Sequence, residues 1–169
     1  MSDKINPFEK KKKGVFFFKS SNPYEFYDLL NGKNMDDKQD VWGTLIFPEN
    51  VKKPCPLIIP IHGSAGLREG HHTHMVNLLD AGFAIFRIHH FESRGVISIV
   101  ENQTEVTLAS MITDAFRALT LVSKHPDVDS DKIGIMGWSL GGSTAFYAAW
   151  QPIIAVSYTH LTLPTSVIV

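Results

Sequence analysis

Hydrophobic and polar positions follow two different patterns along the chain, and the change falls near residue 55. Before it, the stretches GVFFFKS (14–20) and DVWGTLIFPEN (40–50) are rich in aromatic and β-branched residues, and the turn-forming stretch NGKNMDD (31–37) separates them. This pattern predicts two antiparallel strands. After residue 55, continuous apolar runs alternate with stretches of helical periodicity, which is typical of strands covered on both faces.

The second region predicts three buried strands and three helices. The apolar runs are PLIIPIHG (56–63), FAIFRIHHF (83–91) and KIGIMGW (132–138). Apolar side chains at helical spacing predict helices over 71–82, 104–124 and 139–150. The middle helix is the clearest, with an apolar stripe formed by Leu108, Ile112, Ala115, Phe116, Leu119 and Val122. Alternation of strand and helix predicts an α/β fold with a mostly parallel sheet and an antiparallel N-terminal pair of strands.

Composition predicts a single globular domain and says little about function. The 169 residues carry 16 basic and 17 acidic side chains, so the charge gives no reason to expect nucleic acid or a membrane as partner. The basic run Lys10–Lys13 predicts a flexible N-terminus over 1–13. Cys55, the one cysteine, cannot form an internal disulfide and has no second thiol for metal or redox chemistry. With no signal-peptide or transmembrane pattern, a cytoplasmic location is expected.

The stretch GWSLG (137–141) carries the strongest chemical signal. Gly-x-Ser-x-Gly between a strand and a helix is the pattern of a nucleophile elbow, in which Gly137 and Gly141 allow close backbone packing and Ser139 stands clear of the sheet. The start of the following helix favours negative charge, so the N–H of Leu140 is a candidate oxyanion-hole donor. The alternative is a glycine-rich turn with an incidental serine.

The turn after the first buried strand supplies a second candidate donor. His62 and Gly63 precede Ser64, whose N–H could point at the same oxyanion. We expect His62 to make structural hydrogen bonds rather than to act as a base.

The run HHTH (71–74) has the residue type of a metal site but lacks further ligands. His71 and His74 are three residues apart and could share a helix face. Since no cluster of Cys or acidic side chains accompanies them, we expect an exposed helix start and no metal.

Three stretches, in this order, resemble the dienelactone hydrolase family of the α/β-hydrolase superfamily. They are PLIIPIHGSAGL (56–67), LLDAGFAIFRIHHFESRGV (78–96) and MITDAFRALTLVSKHPDVDSDKIGIMGWSLGGSTAFYAA (111–149). The resemblance covers roughly residues 41–152 and implies hydrolysis of carboxylic esters or lactones through an acyl-enzyme, with a small-molecule substrate and no cofactor. Dienelactone hydrolases themselves carry cysteine where this chain has Ser139, so the resemblance points to a serine esterase.

The same resemblance places Arg94 where dienelactone hydrolases hold a substrate carboxylate. A guanidinium there could bind a carboxylate through two parallel hydrogen bonds. The alternative is an arginine that ties its own loop together. His89 stands where many relatives have an acid, so the chemistry of this loop can differ.

The residues that would activate Ser139 are not evident in the chain. In α/β-hydrolases the acid and the histidine follow the nucleophile, yet no Asp or Glu follows Ser139 and His160 is the one later histidine. His89 or His90 could supply a base from upstream, although no pattern supports it. We therefore expect a catalytically incomplete piece of a longer hydrolase.

The last stretch, VSYTHLTLPTSVIV (156–169), departs from the preceding pattern. It resembles translated sequencing-adapter DNA, which predicts that the natural protein's sequence departs from this one near Ala155. A divergent β-rich terminus is the alternative, with a strand beginning at QPIIAV (151–156). Two other functions also stay open, namely a non-catalytic scaffold of this fold and an acyl-peptidase or acyltransferase, because the fold alone does not set the substrate.

Overall fold

The computed structural model describes Phe8 and residues 12–160, the last four by their backbone alone. Its strands are β1 (Gly14–Ser20), β2 (Gln39–Ile46), β3 (Cys55–Ile61), β4 (Ala84–Ile88) and β5 (Val128–Gly137). Its helices are α1 (Phe26–Asn31), α2 (Glu69–Asp80), α3 (Leu108–Val122), α4 (Leu140–Ala148) and α5 (Gln151–His160), and a 3₁₀ turn spans Glu92–Arg94.

The five strands form one mixed sheet in the order β1-β2-β4-β3-β5. β1 pairs with β2 and β2 with β4 in antiparallel fashion, whereas β3 pairs in parallel with both β4 and β5. The predicted α/β class and its antiparallel N-terminal strands are therefore confirmed. Because the carboxyl ends of β3, β4 and β5 meet at one edge, the loops that follow these strands lie side by side.

The core lies around β3 and α3. Leu57 and Ile61 of β3 have no exposed surface, and Ile112 and Val122 of α3 are equally buried. The predicted apolar stripe of α3 thus faces the interior. Of the predicted flexible N-terminus, Phe8 lies among the described residues and packs in this core, and most of 1–13 lies outside them.

Several predicted boundaries were wrong for local reasons. α3 begins at Leu108 rather than 104, because the Thr107 side chain accepts the N–H of Ser110 and caps the helix. Between β1 and β2 the chain forms α1, which the turn-rich sequence did not predict.

The predicted helix over 139–150 is confirmed as α4 (Leu140–Ala148), and a further helix, α5, follows it. α5 occupies the residues at which the sequence left open the start of a strand, 151–156. Pro152 lies in the first turn of α5, where its missing N–H costs nothing, and Ile153 is fully buried. The strand was therefore wrong. The proposed non-native tail (156–169) lies mostly outside the described residues, which end at 160.

Candidate active site

Ser139 occupies the tight turn between β5 and α4, and it is exposed. Its backbone has φ 54° and ψ −119°, a conformation that residues other than glycine rarely adopt. The turn is held on both sides, because the Trp138 N–H donates to the carbonyl of Ile61 at 3.1 Å and the Gly141 N–H donates to the carbonyl of Trp138 at 2.9 Å. Ser139 thus projects from a fixed backbone at the edge of the sheet.

The two flanking glycines are required by contact between backbones. A Cβ added to Gly137 would lie 2.1 Å from the carbonyl of Gly141, and a Cβ on Gly141 would lie 2.1 Å from the carbonyl oxygen of Ile61. Such distances are far inside van der Waals contact. The start of α4 therefore packs directly on β3 and β5 without intervening side chains, as the sequence spacing predicts.

A second turn, Gly63–Gly66, lies against the Ser139 turn. Its ends are joined by the Gly66 N–H, which donates to the carbonyl of Gly63 at 3.0 Å. A Cβ on Gly63 would lie 3.2 Å from the Cβ of Ser139 and 3.8 Å from its Oγ. Ser64 is a central residue of this turn, so its N–H takes no part in the closing hydrogen bond. Leu140 is the first residue of α4, and its N–H has no acceptor within the helix.

His62 supports the second turn. Its ring is 3% exposed, and its Nδ1–H donates to the carbonyl of Gly63 at 2.9 Å. Burial, and after it the neighbouring His90, lower the pKa of His62 to about 4, so the ring is neutral near pH 7. This is the structural hydrogen bonding expected from the sequence.

Arg94 lies inside its own loop and faces the protein. Its Nε donates to Asn22 at 2.8 Å, Nη1 donates to the His90 carbonyl at 2.9 Å and to Asp114 Oδ2 at 2.8 Å, and Nη2 donates to Asp114 Oδ1 at 3.0 Å. The side chain is 6% exposed. Of the two roles that the sequence left open, this geometry favours the arginine that ties its loop together over the one that binds a substrate carboxylate.

Asp114 is the residue that sequence reasoning missed. It is fully buried on α3, and besides Arg94 it accepts hydrogen bonds from Ser20 Oγ at 2.5 Å and His90 Nδ1 at 2.8 Å. Burial alone would raise the pKa of Asp114, but the Arg94 charge and the His90 hydrogen bond outweigh it and hold the pKa below its usual range. We call Ser20, His90, Arg94 and Asp114 the Asp114 cluster. Its signal in the sequence is the single acid of α3, which lies beside the apolar stripe in a largely apolar helix.

The two upstream histidines considered as bases are both held by the fold. His90 is fully buried and belongs to the Asp114 cluster. His89 stacks on Trp42 with ring centroids 3.4 Å apart, and its Nε2 lies 3.1 Å from Thr44 Oγ1. Both rings therefore stabilise the loop after β4.

The histidine run at the start of α2 contacts the Ser139 turn. His71 stacks on Trp138 with centroids 4.3 Å apart, and the more exposed His74 tilts against the same ring at 5.8 Å. Within the described part of the chain, no group of three or more candidate ligands could hold a metal ion. The expected exposed helix start is half right, since His71 is partly buried by the tryptophan next to Ser139.

No helix among the described residues is both long and apolar enough to cross a membrane.

Similar solved structures share this architecture. They include a dienelactone hydrolase-like promiscuous phosphotriesterase, P91, from metagenomic libraries (18% identity, TM-score 0.56, 80% of this chain and 54% of that chain). Est1E from Butyrivibrio proteoclasticus, with ferulic acid bound, is 28% identical, with a TM-score of 0.52, and the match covers 65% of this chain and 43% of that chain. A bacterial heroin esterase is 17% identical, with a TM-score of 0.56, and the match covers 91% of this chain and 42% of that chain.

The chain spans about half the length of these structures. A comparison with curated protein sequences finds no match. The BD-FAE family model matches residues 44–153, which is more than half of the chain and includes both turns at the candidate site. The chain therefore belongs to the BD-FAE family, whose domain is α/β-hydrolase-like.

Proposed function

We propose that the protein is a serine hydrolase of small carboxylic esters or lactones, with Ser139 as the nucleophile. The observation that carries the proposal is the geometry of the two turns. Ser139 is exposed in a strained strand–helix turn, and the Gly63–Gly66 turn lies against it. Backbone strain costs stability and tends to be found at active sites, and here the strained residue presents an exposed hydroxyl.

In the proposed mechanism, Ser139 Oγ attacks the carbonyl carbon of the ester while a histidine accepts the hydroxyl proton. The carbonyl oxygen becomes an oxyanion, to which the N–H groups of Leu140 and Ser64 donate. Two such donors contribute on the order of several kcal/mol to stabilising the transition state. Expulsion of the alcohol, which regains the proton from the histidine, leaves an acyl-enzyme, and water then releases the acid.

We propose that the acid and the histidine lie in a part of the complete protein beyond the elements described here. Two facts support this. No carboxylate follows Ser139 in the chain, and the chain spans about half of the structures it resembles. Serine and its base act as a unit, so Ser139 gains little from two oxyanion donors alone. Neither a metal nor a cofactor is needed by this mechanism.

Ester substrates are supported by the similar proteins. One of them is named as an esterase of heroin, and another was solved with ferulic acid bound. The role of Arg94 as a carboxylate ligand is not part of our proposal, because its guanidinium is already engaged with Asp114.

Labelling with a fluorophosphonate probe tests the proposal. In the complete gene product we expect a single modified serine, located by mass spectrometry at Ser139, and hydrolysis of p-nitrophenyl acetate. Ser139→Ala should abolish both. Ser143→Ala is the matched control, because Ser143 is an exposed serine in the first turn of α4, close in sequence to Ser139. This variant should leave the labelling and the hydrolysis unchanged.

Two results would contradict the proposal. Labelling that persists in Ser139→Ala would place the nucleophile elsewhere. A complete gene product that is folded but neither labelled nor hydrolytic would favour the non-catalytic scaffold instead.

A further inference from the structure

The segment Val96–Val100 runs along the turn that carries Ser64. The Ile99 N–H donates to the carbonyl of Ser64 at 2.8 Å, and the Ser98 hydroxyl donates to the same oxygen at 3.3 Å. The side chain of Ile99 is 1% exposed and anchors the segment in the core. The Val96 N–H donates to the carbonyl of Phe91 at 2.9 Å, which ties the other end to the loop after β4. The segment is thus held in place at both ends.

Ile97 and Ser139 lie near opposite ends of this turn. Its carbonyl oxygen would lie 2.6 Å from a Cβ on Gly66, and the opposite end of the turn, Gly63, touches Ser139. Because the ends of a β-turn lie within about 7 Å of each other, the Gly63–Gly66 turn and its contacts at either end are what separate Ile97 from Ser139.

The fixed segment nevertheless leaves two large aliphatic side chains in solvent. Ile97 is 86% exposed and Val100 is 58% exposed. Single exposed apolar side chains are ordinary, but these two belong to one short segment that borders the candidate nucleophile. A cavity of about 340 Å³ beside Val100 is also lined by Ser98, Glu101 and Glu105, and the two glutamates give it acidic character.

We propose that Ile97 and Val100 bind the hydrocarbon part of a neutral ester whose carbonyl lies at Ser139, and that the two glutamates disfavour substrates with a free carboxylate. This inference rests on the proposed function and names its substrate class. Ile97 is the specificity-determining residue. This substrate class differs from dienelactones, which carry a carboxylate. Arg94 is not free to bind such a carboxylate, because it is paired with Asp114.

The test compares three esters of p-nitrophenol on the complete gene product: the acetate, the hexanoate and the half-ester of adipate. Hexanoate and adipate have acyl chains of equal length, and adipate adds a terminal carboxylate. We expect kcat/KM to be highest for hexanoate. In Ile97→Ser, the preference for hexanoate over acetate should fall roughly fivefold or more, because one or two lost apolar contacts have effects of this size.

Two variants serve as controls. Ile97→Leu preserves apolar surface and should retain the preference. Phe17→Ser removes a side chain that is 70% exposed on β1, at the opposite edge of the sheet, and should also leave the preference unchanged.

The outcomes separate the two proposals. An active enzyme that keeps its hexanoate preference in Ile97→Ser, or that prefers the adipate half-ester to hexanoate, overturns this inference and leaves the serine hydrolase intact. Absence of both hydrolysis and fluorophosphonate labelling overturns the proposed function, and this inference with it.

Discussion

Two neighbouring regions at the carboxyl edge of the sheet, the Ser139 turn and the Asp114 cluster, are stabilised by different means. At the Ser139 turn, backbone packs on backbone, and the critical atoms are those that Gly137 and Gly141 lack. In the Asp114 cluster, the backbone of a loop is held by buried side chains, with a carboxylate at 0% exposure and a guanidinium at 6%.

The difference predicts that the two regions respond to different substitutions. The Ser139 turn depends on empty space, so the addition of one methyl group is the damaging change. The Asp114 cluster depends on compensation of a buried charge, so the loss of that charge at constant volume is the damaging change.

The largest effect is expected for Gly141→Ala. The added Cβ would lie 2.1 Å from the Ile61 carbonyl oxygen and 2.6 Å from that of His62, so α4 must separate from β3. We expect a loss of the order of the whole free energy of unfolding, about 5 kcal/mol or more, seen as failure to fold cooperatively in urea denaturation followed by circular dichroism.

Gly70→Ala is the matched control for this change. Gly70 lies in α2, and a Cβ there would meet nothing within 4 Å. Alanine has the higher helix propensity, so this variant should be more stable by up to about 1 kcal/mol. A Gly141→Ala protein with unchanged stability would show that the backbone contact is not needed.

The next effect is expected for Asp114→Asn. The substitution keeps the volume but leaves the Arg94 charge buried without its partner, which costs about 3–5 kcal/mol. The free energy of unfolding from urea denaturation measures the loss. Asp40→Asn is the control, because Asp40 pairs with Lys19 at the surface, where a pair contributes less than about 1 kcal/mol. Equal losses in the two variants would refute the role of burial.

The same contrast explains what could be predicted from the sequence. The Ser139 turn is encoded within five residues, so the spacing of Gly137, Ser139 and Gly141 between a strand and a helix sufficed to locate it. The Asp114 cluster joins side chains that are 94 residues apart in the case of Ser20 and Asp114. No local pattern encodes such a pairing, and an acid in a largely apolar helix indicates only that some partner exists.

The site beyond Ser139 was predictable only in part for the same reason. The Gly63–Gly66 turn follows a predicted strand, so its place at the sheet edge followed from the parallel order of the strands. The contact of Ile99 with Ser64 joins two loops without periodicity, so no pattern in the sequence predicts it. Helix α5 was not predicted, because the short apolar stretch QPIIAV is equally compatible with the start of a strand.

The smallest expected effect concerns His62, which lies between the two regions. Its ring centroid is 5.5 Å from that of His90 in the Asp114 cluster, while its Nδ1–H holds the turn next to Ser139. Burial lowers the pKa of His62 from 6.5 to about 4. Between these values the unfolded chain binds a proton that the folded protein does not. The free energy of unfolding should therefore fall by about 3 kcal/mol as the pH falls from 6.5 to 4, and it should be unaffected by His62 above this range.

His62→Gln isolates this contribution. Burial also lowers the pKa of His71 and His125, and Glu92, whose hydrogen bond with His89 lowers its pKa to about 2, acts below pH 4.5. These groups stay in the variant, so they cancel in the difference between the two pH profiles. We expect the variant to be less stable at pH 7, because a hydrogen bond is lost, yet to lose less stability on acidification. Parallel profiles from pH 7 to pH 4 would mean that His62 takes up its proton over the same pH range in the folded and the unfolded protein, and the two regions would then meet at a charged ring at pH 4.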